Sequence, residues 1–171
     1  MLRYSVLAFA ALLAAAPAQA GELIGGLYVH DIKTPLTLSG EENGADVQLG
    51  WRFGKIGHTP LQPYLFGALN SAGNTSYAAA GISAKFGKKI FIRPGLGLAI
   101  HTGSAAKFDN PFNQRIEFGS RVLFEPELGI GTRLSSRATI EASWVHMSHA
   151  QFFGHENPGI DNIGVRLSLS L

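Results

Sequence analysis

The 171-residue sequence contains no cysteine, so it can form no disulfide framework and offers no thiol catalyst. Charge is sparse as well. Only 15% of residues are charged, and 14 Lys and Arg against 12 Asp and Glu leave a formal charge of +2, a balance that gives no reason to expect a nucleic-acid partner. Beyond residue 20 no apolar run approaches the roughly 20 residues that a membrane helix needs. Segments with helical spacing of apolar residues are missing too, as are low-complexity linkers. Against these absences, hydrophobic residues make up 46% of the chain and glycines number 21. A sequence this apolar, without a membrane helix, has to place its greasy surface in another way.

The N-terminus sets the compartment. Arg3 supplies a positive start, Val6 to Ala16 is a short run rich in Leu and Ala, and Ala18-Gln19-Ala20 fits the small-x-small cleavage rule. Residues 1–20 therefore read as a cleaved secretory signal peptide, and residues 21–171 as one mature domain.

Alternation shows where the apolar surface goes. From Ala45 to Phe53 the odd positions Ala45, Val47, Leu49, Trp51 and Phe53 alternate with Asp46, Gln48, Gly50 and Arg52, the period of a strand with one greasy and one polar face. The same pattern runs from Phe118 to Leu134, with Phe118, Val122, Phe124, Leu128, Ile130 and Leu134 opposed to Glu117, Arg121, Glu125 and Glu127. It returns at the C-terminus, where Ile163, Val165, Leu167, Leu169 and Leu171 alternate with Asn162, Gly164, Arg166, Ser168 and Ser170. Eight strands are predicted: Leu23 to His30, Ala45 to Gly54, Leu61 to Ser71, Thr75 to Phe86, Ile90 to Thr102, Glu117 to Leu134, Arg137 to Ser148, and Asp161 to Leu171. Pro94 fits the fifth only at a bulge. The first and third alternate too poorly for their faces to be assigned.

Apolar outside and polar inside is the requirement of a closed barrel in lipid, where every backbone donor pairs within the sheet. Links also alternate in length. Lys55 to Pro60, Gly87 to Lys89 and Ser135-Ser136 are short, whereas Asp31 to Gly44, Gly103 to Ile116 and His149 to Ile160 are long, as periplasmic turns and extracellular loops would be. The expected fold is all-β: an eight-stranded antiparallel transmembrane β-barrel of the bacterial outer membrane. The rival is a soluble periplasmic barrel or sandwich whose apolar faces form an ordinary core and whose Arg and Glu rows face water.

The seventh segment carries the chemistry. Ile140, Ala142, Trp144, His146 and Ser148 share its lipid face, and polar groups facing hydrocarbon are costly enough to need a function. His146 and Ser148 stand about 7 Å apart along the strand, within side-chain reach for an imidazole to accept a hydroxyl proton. A carboxylate is needed to orient the imidazole. Asp161, at the start of the last strand with the parity of Ile163 and Val165, supplies one if it pairs opposite the end of the seventh; Glu156, in the preceding loop, competes for the role. Backbone amides near His149 and Ala150 are the candidate oxyanion hole. His146, His149, His155 and Glu156 also raise a metal site, but His146 and His149 differ in parity and the spacing matches no zinc signature, so neither metal nor cofactor is expected. His30, His58 and His101 read as interface or loop residues, Glu125, Glu127 and Arg121 as a lumen charge network, and Trp51, Trp144 and the tyrosines as interfacial girdles.

The stretch His146-Met147-Ser148-His149-Ala150, followed by Asn157-Pro158-Gly159-Ile160-Asp161, resembles the C-terminal signature of PagL-type lipid A 3-O-deacylases of the acyloxyacyl hydrolase family. The likeness extends to signal peptide, length and strand count, while the specific motifs lie in the last quarter. The family usually has Glu at the acid position and often Asn after the serine, where this chain has Asp161 and His149. The resemblance implies an eight-stranded outer-membrane barrel, active in the outer leaflet, that removes the ester-linked 3-position acyl chain of lipid A without a cofactor. It implies His146 as base, Ser148 as nucleophile and Asp161 as orienting acid. The expected partners are lipopolysaccharide, the surrounding membrane lipids and a second copy of the chain in a homodimer. Two other functions compete: an outer-membrane phospholipase, which resembles the same His-x-Ser arrangement on a larger barrel, and a noncatalytic structural or adhesive barrel.

Overall fold

The computed structural model describes residues 21–37, 40–107, 116–150 and 158–171; the expected signal peptide, His155 and Glu156 lie outside them. Nine strand elements follow in order: β1 (Glu22–Val29), β2 (Ala45–Arg52), β3 (Leu61–Asn70), β4 (Tyr77–Ala84), β5 (Phe86–Gly87), β6 (Ile90–His101), β7 (Val122–Arg133), β8 (Ala138–Met147) and β9 (Ile160–Ser170). All neighbours pair antiparallel. Because β1 pairs with both β2 and β9, and β4 pairs with both β3 and β6, the sheet closes on itself.

The barrel has eight staves because β4 and β5 are one stave with a gap. Phe86 faces Ile92 in the same register in which Ser83 faces Gly95. The ladder lapses opposite Arg93 and Pro94 and resumes unshifted. Pro94 is therefore accommodated without the expected bulge: lacking an N–H, it leaves a local break in the pairing instead.

The two faces are those of a membrane barrel. Outward rows carry Leu27, Val47, Leu49, Leu69, Leu98, Ile130 and Val165, with Leu49 64% and Leu69 71% exposed, an apolar belt that water would penalise and lipid would accept. Arg52, Arg93, Arg166, Glu125, Glu127 and Glu141 are buried inside. This arrangement overturns the soluble-barrel alternative, which needed those charges in water. In the lumen, Arg166 Nη2 donates to Glu127 at 2.7 Å and its Nε to Tyr28 and Gln48 at 3.0 Å. Arg93 reaches Glu141 at 3.3 Å and Arg52 reaches Glu22 at 2.9 Å. Tyr64 donates to Glu125. Paired in this way, charges can stay buried that would each be costly alone.

Aromatic rings fill the remaining lumen. Ile24, Tyr28, Tyr64 and Phe66 point inward from β1 and β3, so polar-inside alternation fails in those two strands. Tyr28, Tyr64 and Tyr77 are lumen residues and not girdle residues as expected. Two further corrections concern the sixth predicted segment, whose regular strand begins at Val122 rather than Glu117. Phe118 is fully buried, its ring centroid 4.4 Å from that of His101, instead of facing lipid. Arg121 donates to the carbonyls of His101 and Gly103 at 2.7 Å, an exposed clamp outside the Glu125 and Glu127 network. His58 lies exposed in a loop, whereas His30 and His101 are buried.

Candidate active site

Strand β8 alternates strictly, placing Val145 and Met147 in the core and Trp144 and His146 on the outward row. The register of β8 with β9 sets His146 directly opposite Asp161, two positions before Ile163 faces Trp144. Residues opposite one another on an antiparallel pair share a face, and here the side chains meet: His146 Nδ1 lies 2.8 Å from Asp161 Oδ1. Ser148 continues the outward row beyond β8. Its amide donates to the Phe124 carbonyl at 3.1 Å and its own carbonyl accepts from Phe124 at 2.8 Å, so the backbone under the hydroxyl is pinned by a bridge to the start of β7.

Although outward by parity, these residues are covered. His146 is 8% exposed, Ser148 6% and Asp161 0%. Part of the cover is Gly159, where a Cβ would stand 2.7 Å from His146 Cε1, so the chain entering β9 passes close against the imidazole. More comes from the loop after β1. Thr34 Oγ1 donates to Asp161 Oδ2, and Ile32 N–H donates to the Asp161 carbonyl at 2.7 Å.

Trp144 completes the surroundings of the carboxylate. Its Nε1–H donates to Asp161 Oδ1 at 2.9 Å, and its ring stacks on that of His146 with centroids 5.8 Å apart. The set of donors fixes the tautomer. A carboxylate only accepts, so the proton of the 2.8 Å contact sits on His146 Nδ1, and in the neutral ring Nε2 then carries the lone pair that a general base needs.

The structure thus brings His146 and Asp161 into contact and sets Ser148 next along the same row, while His149 turns to the opposite side. A Cβ on Gly119 would stand 3.3 Å from His149 Nε2, which places that ring near the loop before β7 and away from His146. Ala150 holds a φ of 51°, one of two non-glycine residues with positive φ among the described residues. Such a conformation costs of order 1–3 kcal/mol and persists where surrounding structure enforces it. Sequence reasoning missed Thr34 and the role of Trp144. Parity with His146 was a usable signal for Trp144; Thr34 lies in an aperiodic loop and gave none.

A closed antiparallel barrel with a lipid-facing apolar belt and a packed ionic lumen defines a membrane β-barrel. The sequence model of the family described as lipid A 3-O-deacylase (PagL) matches residues 39–170, and the chain belongs to that family. Among solved structures it is similar to the crystal structure of the outer membrane enzyme PagL, at 19% identity and a TM-score of 0.58, covering 88% of this chain and 99% of that one. It is also similar to a structure from the de novo design of transmembrane β-barrels, at 9% identity and a TM-score of 0.53, covering 88% and 95%. At these identities the likeness establishes the fold. No curated protein sequence matches the chain.

Proposed function

We propose that this chain is an outer-membrane serine esterase that removes the ester-linked acyl chain at position 3 of lipid A. The observation that carries the reading is the 2.8 Å contact between His146 and Asp161 on the lipid-facing row that Ser148 extends. Family membership supplies the substrate class. Residues 1–20 act as a cleaved export signal, and the long-loop end, with the site, faces the outer leaflet. No feature of the described residues supports the homodimer, and it is not part of this proposal.

In the proposed reaction, Ser148 Oγ attacks the acyl carbonyl while His146 Nε2 takes its proton. Asp161 holds the ring and stabilises the imidazolium. The tetrahedral oxyanion needs donors other than the Ser148 amide, which is committed to Phe124. The amides of His149 and Ala150 follow directly, and the positive φ of Ala150 turns the chain at that point. Collapse breaks the ester bond, and the departing sugar hydroxyl takes the proton from His146. Water, deprotonated by the same imidazole, then frees the fatty acid and regenerates Ser148. The acyl chain needs no enclosed pocket because it already lies along the barrel wall.

The test offers purified protein lipid A and phospholipid in parallel mixed micelles and measures released fatty acid. Release from lipid A alone supports the proposal. Release from phospholipid alone would replace it with a phospholipase, and release from neither would leave a noncatalytic barrel.

A further inference from the structure

Asp161 is held by more than its histidine. Oδ1 accepts both His146 Nδ1–H at 2.8 Å and Trp144 Nε1–H at 2.9 Å, while Oδ2 accepts the hydroxyl of Thr34. The carboxylate is wholly buried, so these donors do for it what water would do at a surface. Two physical consequences follow. Donors on both oxygens prevent the carboxylate from rotating away from the imidazole, and each one draws off negative charge that would otherwise serve the imidazolium.

Thr34 does not belong to the strands that carry the site. It sits in the loop between β1 and β2, 127 residues before Asp161, and that loop is built to hold it there. The Asp31 carboxylate Oδ2 accepts the amides of Gly40, Glu41 and Glu42 at 2.8–2.9 Å. The Asp31 amide donates to Asn162 at 2.9 Å and the Ile32 amide to the Asp161 carbonyl at 2.7 Å. The loop is therefore stitched to β9 at the Asp161 carbonyl and at the neighbouring Asn162 side chain.

We propose that Thr34 and Trp144 are positioning residues of the active site, which together orient the Asp161 carboxylate and set how strongly it supports a protonated His146. The inference rests on the serine-esterase reading and adds the first long loop to the working site. Neither residue touches the reacting atoms; both act through Asp161.

Removing a donor leaves more negative charge on the carboxylate to stabilise the imidazolium formed in the reaction. The acid limb of the kcat/KM profile should then move upward. The experiment measures that profile for lipid A deacylation with full-length protein in detergent micelles, comparing wild type, Thr34→Val, Thr34→Ser, Trp144→Phe and Ser148→Ala. Folding of each is checked by its mobility on unheated SDS gels. Thr34→Val and Trp144→Phe are each expected to lose about tenfold in rate and to raise the acid limb by about half a pH unit. Thr34→Ser should restore both. Since the two residues lie on different elements, a folding failure of one variant leaves the other to decide. An acid limb that stays at the wild-type position in a folded Thr34→Val or Trp144→Phe overturns the inference. If Ser148→Ala is inactive while those limbs stay put, only the positioning role falls; an active Ser148→Ala removes the esterase reading beneath it.

Discussion

His146 and Asp161 are direct partners across β8 and β9, with Nδ1 and Oδ1 2.8 Å apart. The contact comes from strand register, so it is as rigid as the barrel wall. Replacing the acid while preserving its shape isolates its charge. Asp161→Asn is expected to lower kcat by about 10³- to 10⁴-fold, with a smaller change in KM, because an amide can hold the wrong tautomer of His146 and cannot stabilise its protonated form. Steady-state kinetics on lipid A check this. A loss under tenfold would mean that the carboxylate is not the orienting acid.

Gly159 offers a steric test of the same geometry. A methyl group there would meet His146 Cε1 at 2.7 Å and the Met147 carbonyl at 3.2 Å, so Gly159→Ala must push the imidazole off its partner. Activity should fall by about 10- to 100-fold, since small misplacements of a catalytic group are costly, while thermal unfolding of the barrel changes little. Wild-type turnover in Gly159→Ala would show that the ring has room to spare.

Strand parity makes much of the candidate site legible in the sequence. Alternation in β2, β7 and β9 separated greasy from polar rows, and the same counting set His146, Ser148 and Asp161 on one face. Alternation failed in β1 and β3 because Tyr28, Tyr64 and Phe66 point into the lumen, where rings fill space between ion pairs and leave no period-two signature. It misled at Phe118 and Arg121, whose spacing continues β7 although the chain there is loop. Thr34 was invisible because loop residues have no periodicity, and its partner is far away in sequence. Glu156, the other candidate acid, lies outside the described residues, while Asp161 occupies the Nδ1 side of His146.

The lumen pair of Arg166 and Glu127 is almost fully buried, at 2.7 Å. Truncating one partner strands the other charge, so Glu127→Ala should destabilise the barrel by about 3–5 kcal/mol. Replacing both with apolar residues of similar volume should cost less. Urea unfolding in micelles followed by Trp fluorescence measures the difference, and equal losses in the single and double variants would contradict it.

His30 lies just beyond β1 between two carboxylates, Asp46 at 2.9 Å and Glu42 at 3.0 Å. Burial alone would lower its pKa, but hydrogen bonds and charge from Asp46 and Glu42 overcome that and raise it to about 9. A pKa raised on folding stabilises the folded state fully below the unfolded value of about 6.5 and loses that contribution as pH rises through 9. Glu42 also accepts from the amide and hydroxyl of Thr75, so the pair ties the first loop to the start of the fourth stave. Protease nicking of residues 30–44 should increase between pH 8 and about 10 in wild type, and His30→Gln should be nicked at neutral pH with no such rise. Nicking independent of pH in wild type would remove His30 as the latch.

In the proposed reaction Ser148, His146 and Asp161 cut one ester of lipid A on the outer wall of the barrel. Tandem mass spectrometry of lipid A after incubation with the purified protein tests it most directly. Wild type should yield lipid A short of one hydroxyacyl group, with fragments assigning the loss to position 3, and Ser148→Ala should leave the lipid unchanged. Intact lipid A with wild type, loss from another position, or the same product with Ser148→Ala would contradict the account.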